Sequence, residues 1–313
     1  WSTHASCELL FLAGDYGSNP IILAPEFDTF GTLYISTEGL TASSLPLQIG
    51  TQDRTNFDLI LDQLYTCCSS SLTINTLGNV LLNASILNDG SNLNLTNIGN
   101  LTITTSKIDS HLKPCLAVSA FDSTPGSILI DGSVLTSRDA AIFANGTSFI
   151  PLTMRESSFS GPTLISSSIL SPLYFNDNIF VGIQDTLIST SCNFDQLTLL
   201  HSTIQGTSPF GATLCPSQEI PIDILEVDDL ATSLFYLGPI KVNNMTLINS
   251  KFGESQGVIE ILTGPARIVD NSFRRLSASS PPGLILKHGP SRKIHAPLAL
   301  VTVPEAEPLT MPI

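Results

Sequence analysis

Five acidic residues crowd together at Glu219, Asp223, Glu226, Asp228 and Asp229, the densest run of carboxylates in the chain. Carboxylate oxygens are hard ligands of the kind Ca²⁺ takes, so Asp223, Glu226, Asp228 and Asp229 are the candidate metal residues. A solvated acidic loop would have the same composition. A second pattern, Gly253-Glu254-Ser255-Gln256-Gly257, matches the GxSxG spacing of serine hydrolases. That nucleophile needs a strand, a sharp turn and then a helix, whereas both flanks here (SKF and VIEIL) read as strands. No catalytic residue is therefore assigned. The five histidines, His4, His111, His201, His288 and His295, share no metal-binding spacing, and neither a GxGxxG nor a P-loop occurs. No cofactor is expected.

The six cysteines are Cys7, Cys67, Cys68, Cys115, Cys192 and Cys215, with no CxxC pair. An even set in a Ser/Asn-rich chain reads as disulfides formed in an oxidising compartment; buried free thiols are the alternative. Asn83, Asn94, Asn100, Asn145 and Asn244 open N-x-Ser/Thr sequons, about what chance predicts, and are acceptors only on a secretory route that glycosylates.

Only 13% of the 313 residues are charged while 42% are hydrophobic; soluble domains average roughly 25% charged. Disorder is excluded, because disordered chains are apolar-poor and charge-rich. Polarity is carried instead by 39 Ser, 30 Thr and 18 Asn, which suits β-structure outside the cell. The net charge of −14 argues against a nucleic-acid partner held through phosphates. It divides unevenly: residues 1–240 hold 5 Lys/Arg against 22 Asp/Glu (−17), and residues 241–313 hold 8 against 5 (+3). No apolar run approaches the ~18 residues of a transmembrane segment.

The elements that must carry these residues come from an internal repeat. NLTITTSKIDS, SILIDGSVLTS, PLTMRESSFSG, PLYFNDNIFVG, QLTLLHSTIQG and NMTLINSKFGE share one template: apolar, any, apolar, any, any, Ser or Asn, any, apolar. Anchored on the Ser/Asn slot, the copies fall at Glu38, Leu64, Ser85, Ser106, Ser133, Ser157, Asn178, Ser202, Val227, Ser250 and Asn271, spaced by 21 to 27 residues. Apolar residues five and three before the anchor are a strand with one buried face. The residue two after it, such as Ile108, Leu135, Phe159 and Phe180, begins a second strand. A third apolar patch, among them Val118, Ile142, Leu164, Ile188, Leu214, Tyr236 and Ile259, precedes each anchor by some 12–15 residues. Three short strands per repeat form one coil, and a coil buries its apolar face only by stacking on the next. The expected fold is an all-β, single-stranded, right-handed parallel β-helix of about 11–12 coils. The Ser/Asn column would then be a structural ladder at a bend. A leucine-rich repeat would need a longer block and helices that are absent.

The pattern resembles the pectin-lyase-like right-handed β-helices, and more narrowly the surface passengers of polymorphic-membrane-protein or autotransporter type. FNDN (Phe175 to Asn178) matches their FxxN-like strand, and DAAIF (Asp139 to Phe143) and GVIEI (Gly257 to Ile261) resemble their GGAI-like strand. Of the acidic and basic motifs of that fold's hydrolases, Asp228-Asp229 and His288-Gly289 are present but some 60 residues apart. Residues 1–30 are expected to form an N-terminal cap, with SCELLFLAG as a short amphipathic helix capped by Ser6. The β-helix proper would span 31–275, and 276–313 would be a last degenerate coil and a Pro-rich tail. Cys192 and Cys215, one coil apart, are the candidate disulfide and the one pairing predicted among the fifteen connectivities six cysteines allow; Cys7 is a better-placed partner for one of Cys67 and Cys68 than Cys115 is. The expected function is a non-catalytic extracellular or cell-surface rod that self-associates head to tail. The alternatives are an adhesin binding a host receptor or glycan, and a polysaccharide lyase or glycoside hydrolase.

Overall fold

A computed structural model describes residues 6–23, 31–50, 56–68, 70–96, 99–111, 114–120, 126–167, 169–184, 187–188, 195–206, 212–213, 222–232, 235–252, 256–262, 266–273 and 284–288. Among them every regular element is a strand, and every strand pairing is parallel. Three sheets of 15, 12 and 7 strands run along the stack. One coil supplies one strand to each in turn, as Val80–Asn83, Ile86–Leu87 and Asn92–Thr96 do. The seven strands of the third sheet, continued by the bridge Ile165↔Ile188, give about eight turns closed on three sides. The twelve strands of the second sheet, at ~4.8 Å each, span on the order of 50 Å. No described helix is long and apolar enough to cross a membrane.

The repeat slots become columns in register. In the first sheet Leu33, Leu59, Val80, Leu101, Ile128, Leu152, Leu173 and Leu197 stack coil upon coil. The slot two residues on forms a second buried column through Ile35, Leu61, Leu82, Ile103, Ile130, Met154, Phe175 and Leu199. Opposite them the second sheet buries Leu87, Ile108, Leu135, Phe159, Phe180 and Ile204. On the third side the column in register is Leu93, Leu116, Ile142, Ile165 and Ile188, so Val118 and Leu164, although buried, lie off the slot expected of them. Leu214 lies outside the described residues, while Tyr236 and Ile259 lie in first-sheet strands.

Three expectations need correction. Ser6–Leu10 is a strand paired in parallel with Gly31–Ser36, not a capping helix. With Gly14–Asp15 and Ile21–Leu23 it contributes a strand to each sheet, so these residues form the outermost described rung of the solenoid. An available parallel edge overrides the weak helical tendency of SCELL. In the next coil Glu38 and Gly39 both adopt positive φ in a lengthened corner. Leu40 is consequently 47% exposed and Ala42 fills the inward slot. In the coil of Ile222–Asp228 the anchor slot is Leu230, not Val227: Leu225 and Val227 stack under Leu197 and Leu199. Ile224 then faces outward and Asp229 occupies the bend. Ile-Asp-Ile-Leu-Glu-Val permits either phase, and the bend at Asp229 fixes the outcome.

Candidate functional site

The corner between the first and second sheets is the most regular polar feature. The residue just before the anchor has positive φ in successive coils, at Gln63, Ala84, Thr105, Gly132, Glu156, Asp177, His201, Asp229, Asn249 and Asp270. This left-handed turn aims the next N–H along the stack instead of into a sheet. The anchor of the following coil receives it: Leu64 N–H donates to Ser85 Oγ (3.0 Å), Ser85 to Ser106 (3.1 Å), Ser106 to Ser133 (3.1 Å) and Ser133 to Ser157 (3.0 Å). Asn178 and Asn271 do the same with Oδ1, accepting from Ser157 and Ser250. Each hydroxyl also donates to the carbonyl two residues before it, as Ser106 Oγ does to Thr104 O at 2.7 Å. These anchors are buried, so the ladder is internal and bears on stability rather than ligand binding.

Loss of a rung should therefore be costly. Ser106→Ala removes the acceptor of the buried Ser85 N–H and the donor to Thr104, and is expected to lower stability by about 1–3 kcal/mol in urea unfolding.

Outside this corner the coils are tied by further ladders. Asn79 Nδ2 donates to Asp58 Oδ1 (3.0 Å), Asn100 Nδ2 to Asn79 Oδ1 (2.8 Å), and Ser127 Oγ to Asn100 Oδ1 (2.9 Å). Asn83 Nδ2 donates to Asp62 Oδ1, and Tyr34 donates its hydroxyl to the same carboxylate, which holds the phenol above its ordinary pKa. Arg155 forks onto both oxygens of Asp131 (2.9 and 3.0 Å), and that hydrogen-bonded charge pair raises the guanidinium further. All five sequon asparagines take part in coil-to-coil bonds. Asn83, Asn94, Asn100 and Asn244 use Nδ2, the atom a glycan would occupy, and Asn145 accepts from Ser119.

The candidate calcium residues do not converge. Asp223, Glu226 and Asp228 are strung along one strand, with Asp229 in the bend after it. Asp223 is bonded to Asn243 Nδ2 (2.7 Å) and Asp228 to Asn249 Nδ2 (3.2 Å). Glu219, Gly253, Ser255, Cys192 and Cys215 lie outside the described residues, so the GxSxG pattern and the Cys192–Cys215 pairing do too.

The four described cysteines, Cys7, Cys67, Cys68 and Cys115, are free. Cys7 stacks on Leu33 in the first sheet while Cys67 ends a strand of the second, so they stand on different walls. Cys115 is buried, and desolvation pushes its thiol up to about 12. Cys67, Cys68 and Asp89 bring three ligand atoms within 4.8 Å of one another, the one such grouping among the described residues. Nothing in the cysteine spacing announces it; it arises because Cys68 and Asp89 occupy equivalent positions on adjacent coils.

The chain was compared with known protein families, curated proteins and solved structures. It matches none of them. The parallel β-solenoid is thus established by the strand register alone.

The glycines that let the coils close up were not read from the sequence. Gly78, Gly99 and Gly126 each sit seven residues before an anchor, at the entry to a first-sheet strand. A Cβ on Gly99 would meet Leu77 O at 2.8 Å and Gly78 O at 2.9 Å; one on Gly78 would strike the Phe57 carbonyl, and one on Gly126 the Gly99 carbonyl. The recurring Gly-Asn/Ser-apolar triplet was the available signal.

Proposed function

We propose that the protein is a non-catalytic structural rod that assembles head to tail, at a cell surface or outside the cell. The observation that carries this reading is the N-terminal rung. Ser6–Leu10, Gly14–Asp15 and Ile21–Leu23 are the outermost described strands of all three sheets. Around them Leu10, Leu12 and Ile22 stand 48%, 61% and 60% exposed. Among the described residues these strands have no partner on their outer side, and such an edge, with apolar side chains beside it, is a template for another parallel coil. A second copy could supply it from its opposite end in a heterologous contact that propagates instead of closing. The charge division, −17 over residues 1–240 and +3 over 241–313, favours that polarity. The resemblance to β-helical surface passengers, and a surface of hydroxyls and amides, support an extracellular rod.

A second reading, adhesion through a side wall, is favoured by Val134, Ile179 and Val181. They lie close together on the outer face of the second sheet and are exposed. Light scattering across concentration and salt separates the two. End-to-end assembly predicts a mass that rises with concentration, falls with added salt, and is abolished by Ile22→Lys but not by Ile179→Lys. A monomer under all conditions would sink the assembly reading.

A further inference from the structure

We infer that Cys67 and Cys68 form a reversible dithiol/disulfide site on the wall of the rod, closed by thiol–disulfide exchange with a low-molecular-weight disulfide such as oxidised glutathione. The two sulfurs are 2.7 Å apart. Neighbouring residues in an extended strand point their side chains to opposite faces, so this approach needs a bend. The bend is present: Cys67 closes the strand Tyr65–Cys67 and Cys68 follows with φ of 65°. It is templated on both sides, because Ser44 in the coil before (φ 48°) and Asp89 in the coil after (φ 55°) have the same left-handed backbone. Ser44 N–H and Ser70 Oγ both donate to the Cys67 carbonyl (3.2 and 2.9 Å), and Ser70 Oγ in turn accepts from Leu45 N–H. The geometry that brings the sulfurs together is thus a property of the stacked coils.

A metal is the competing occupant, since Asp89 adds a carboxylate. The sulfur spacing argues against it. At a zinc–thiolate distance of ~2.3 Å, two sulfurs 2.7 Å apart subtend only about 70° at the metal, far inside the tetrahedral angle. For a disulfide, by contrast, the sulfurs have little left to travel. Access fits as well, Cys68 being exposed and Cys67 half-buried. The hydrogen bond with Cys67 pushes the Cys68 thiol up to about 11, with desolvation and the Asp89 and Asp15 carboxylates acting the same way. A thiol held protonated is the slower nucleophile, so Cys68 is assigned the second, intramolecular step.

The chemistry balances as two exchanges. The Cys67 thiolate attacks one sulfur of oxidised glutathione, forming a mixed disulfide and releasing one glutathione thiol. Cys68, on losing its proton, attacks the Cys67 sulfur, closes the ring and releases the second. Two protein thiols are oxidised, and the small disulfide is reduced to two thiols. Adjacent Cα atoms are only ~3.8 Å apart, less than ordinary disulfides span, so the ring belongs to the readily reduced class.

Peptide mass spectrometry of the full chain tests this. Cys67 and Cys68 are the only cysteines between Arg54 and Lys107, so the tryptic peptide 55–107 reports the pair alone. After treatment of the reduced protein with oxidised glutathione and alkylation of remaining thiols, that peptide should lack two hydrogens, carry neither glutathione nor alkyl group, and regain two alkylatable thiols on reduction. Cys68→Ser, with its fold checked by circular dichroism, should stop at a glutathione adduct on Cys67. Two alkylated cysteines after oxidation, or adducts on both sulfurs of the wild type, would overturn the inference. So would stoichiometric Zn²⁺ retention on dialysis that Asp89→Asn abolishes.

Discussion

Gly126→Ala should destabilise the protein by about 3 kcal/mol or more, the upper range for forcing atoms into a packed site. The cause is not backbone conformation. Gly126 lies directly over Gly99 at the corner leading into the first sheet, and a Cβ there would overlap the Gly99 carbonyl. The obstacle is main chain, held in place because the coil below is fixed by its own pairing: Gly99 N–H donates to Gly78 O at 2.9 Å. No rotamer change relieves such a clash; the coils must separate, and each coil depends on its nearest neighbours for stability. Gly132→Ala is the contrast. Its φ of 55° disfavours alanine, but the added Cβ would meet only Thr105 Cγ2 at 3.8 Å, so a cost of about 1–2 kcal/mol is expected from conformation alone. Urea unfolding of the two variants side by side checks the difference. Equal losses would mean that close approach of the coils is not what selects glycine at residue 126.

Phe180→Ala is expected to cost about 3–5 kcal/mol. Phe180 projects from the second sheet into the centre of the stack, paired in register with Phe159 and edge-on to Phe175 from the first sheet. The ring centroids of Phe175 and Phe180 are 5.6 Å apart at 86°, a favourable arrangement of aromatic quadrupoles. All three rings are buried, so truncation leaves a void walled by residues of both sheets that regular coil spacing keeps from collapsing. Phe143→Ala is the control. Phe143 faces solvent on the third sheet, 40% exposed, and its loss should change the unfolding midpoint little.

These sites show what the sequence made legible. Phe180 was assigned to the core because it shares an inward slot with Ile108 and Leu135, and periodicity in a solenoid translates directly into columns. The Ser/Asn slot was equally visible, but its chemistry was not. The ladder exists because the preceding residue is left-handed, and that position holds Gln63, Ala84, Thr105 and Glu156, which have no propensity for such a backbone, alongside Gly132, Asp177, His201, Asp229, Asn249 and Asp270, which do. The neighbouring coils impose it. Register failed where the sequence allowed two phases, at Ile222–Asp228, and where the corner lengthened at Glu38 and Gly39. SCELL was misread because a strand that begins a sheet draws its stability from an edge far away in sequence. The Cys67–Cys68–Asp89 grouping was invisible for a related reason: which wall a residue faces depends on the coil count between corners, not on spacing from another cysteine. The acidic run suffered the converse error, since density in sequence became dispersion along a strand.

The central proposal is that the rung of Ser6–Leu10, Gly14–Asp15 and Ile21–Leu23 receives another molecule. Cryo-electron microscopy of the protein at high concentration and low salt tests it most directly. The predicted particles are rods joined end to end, with the ~4.8 Å strand spacing running unbroken through a junction at Ser6–Leu10. Isolated rods under every condition, or rods associated side by side through the wall of Val134 and Ile179, would contradict it.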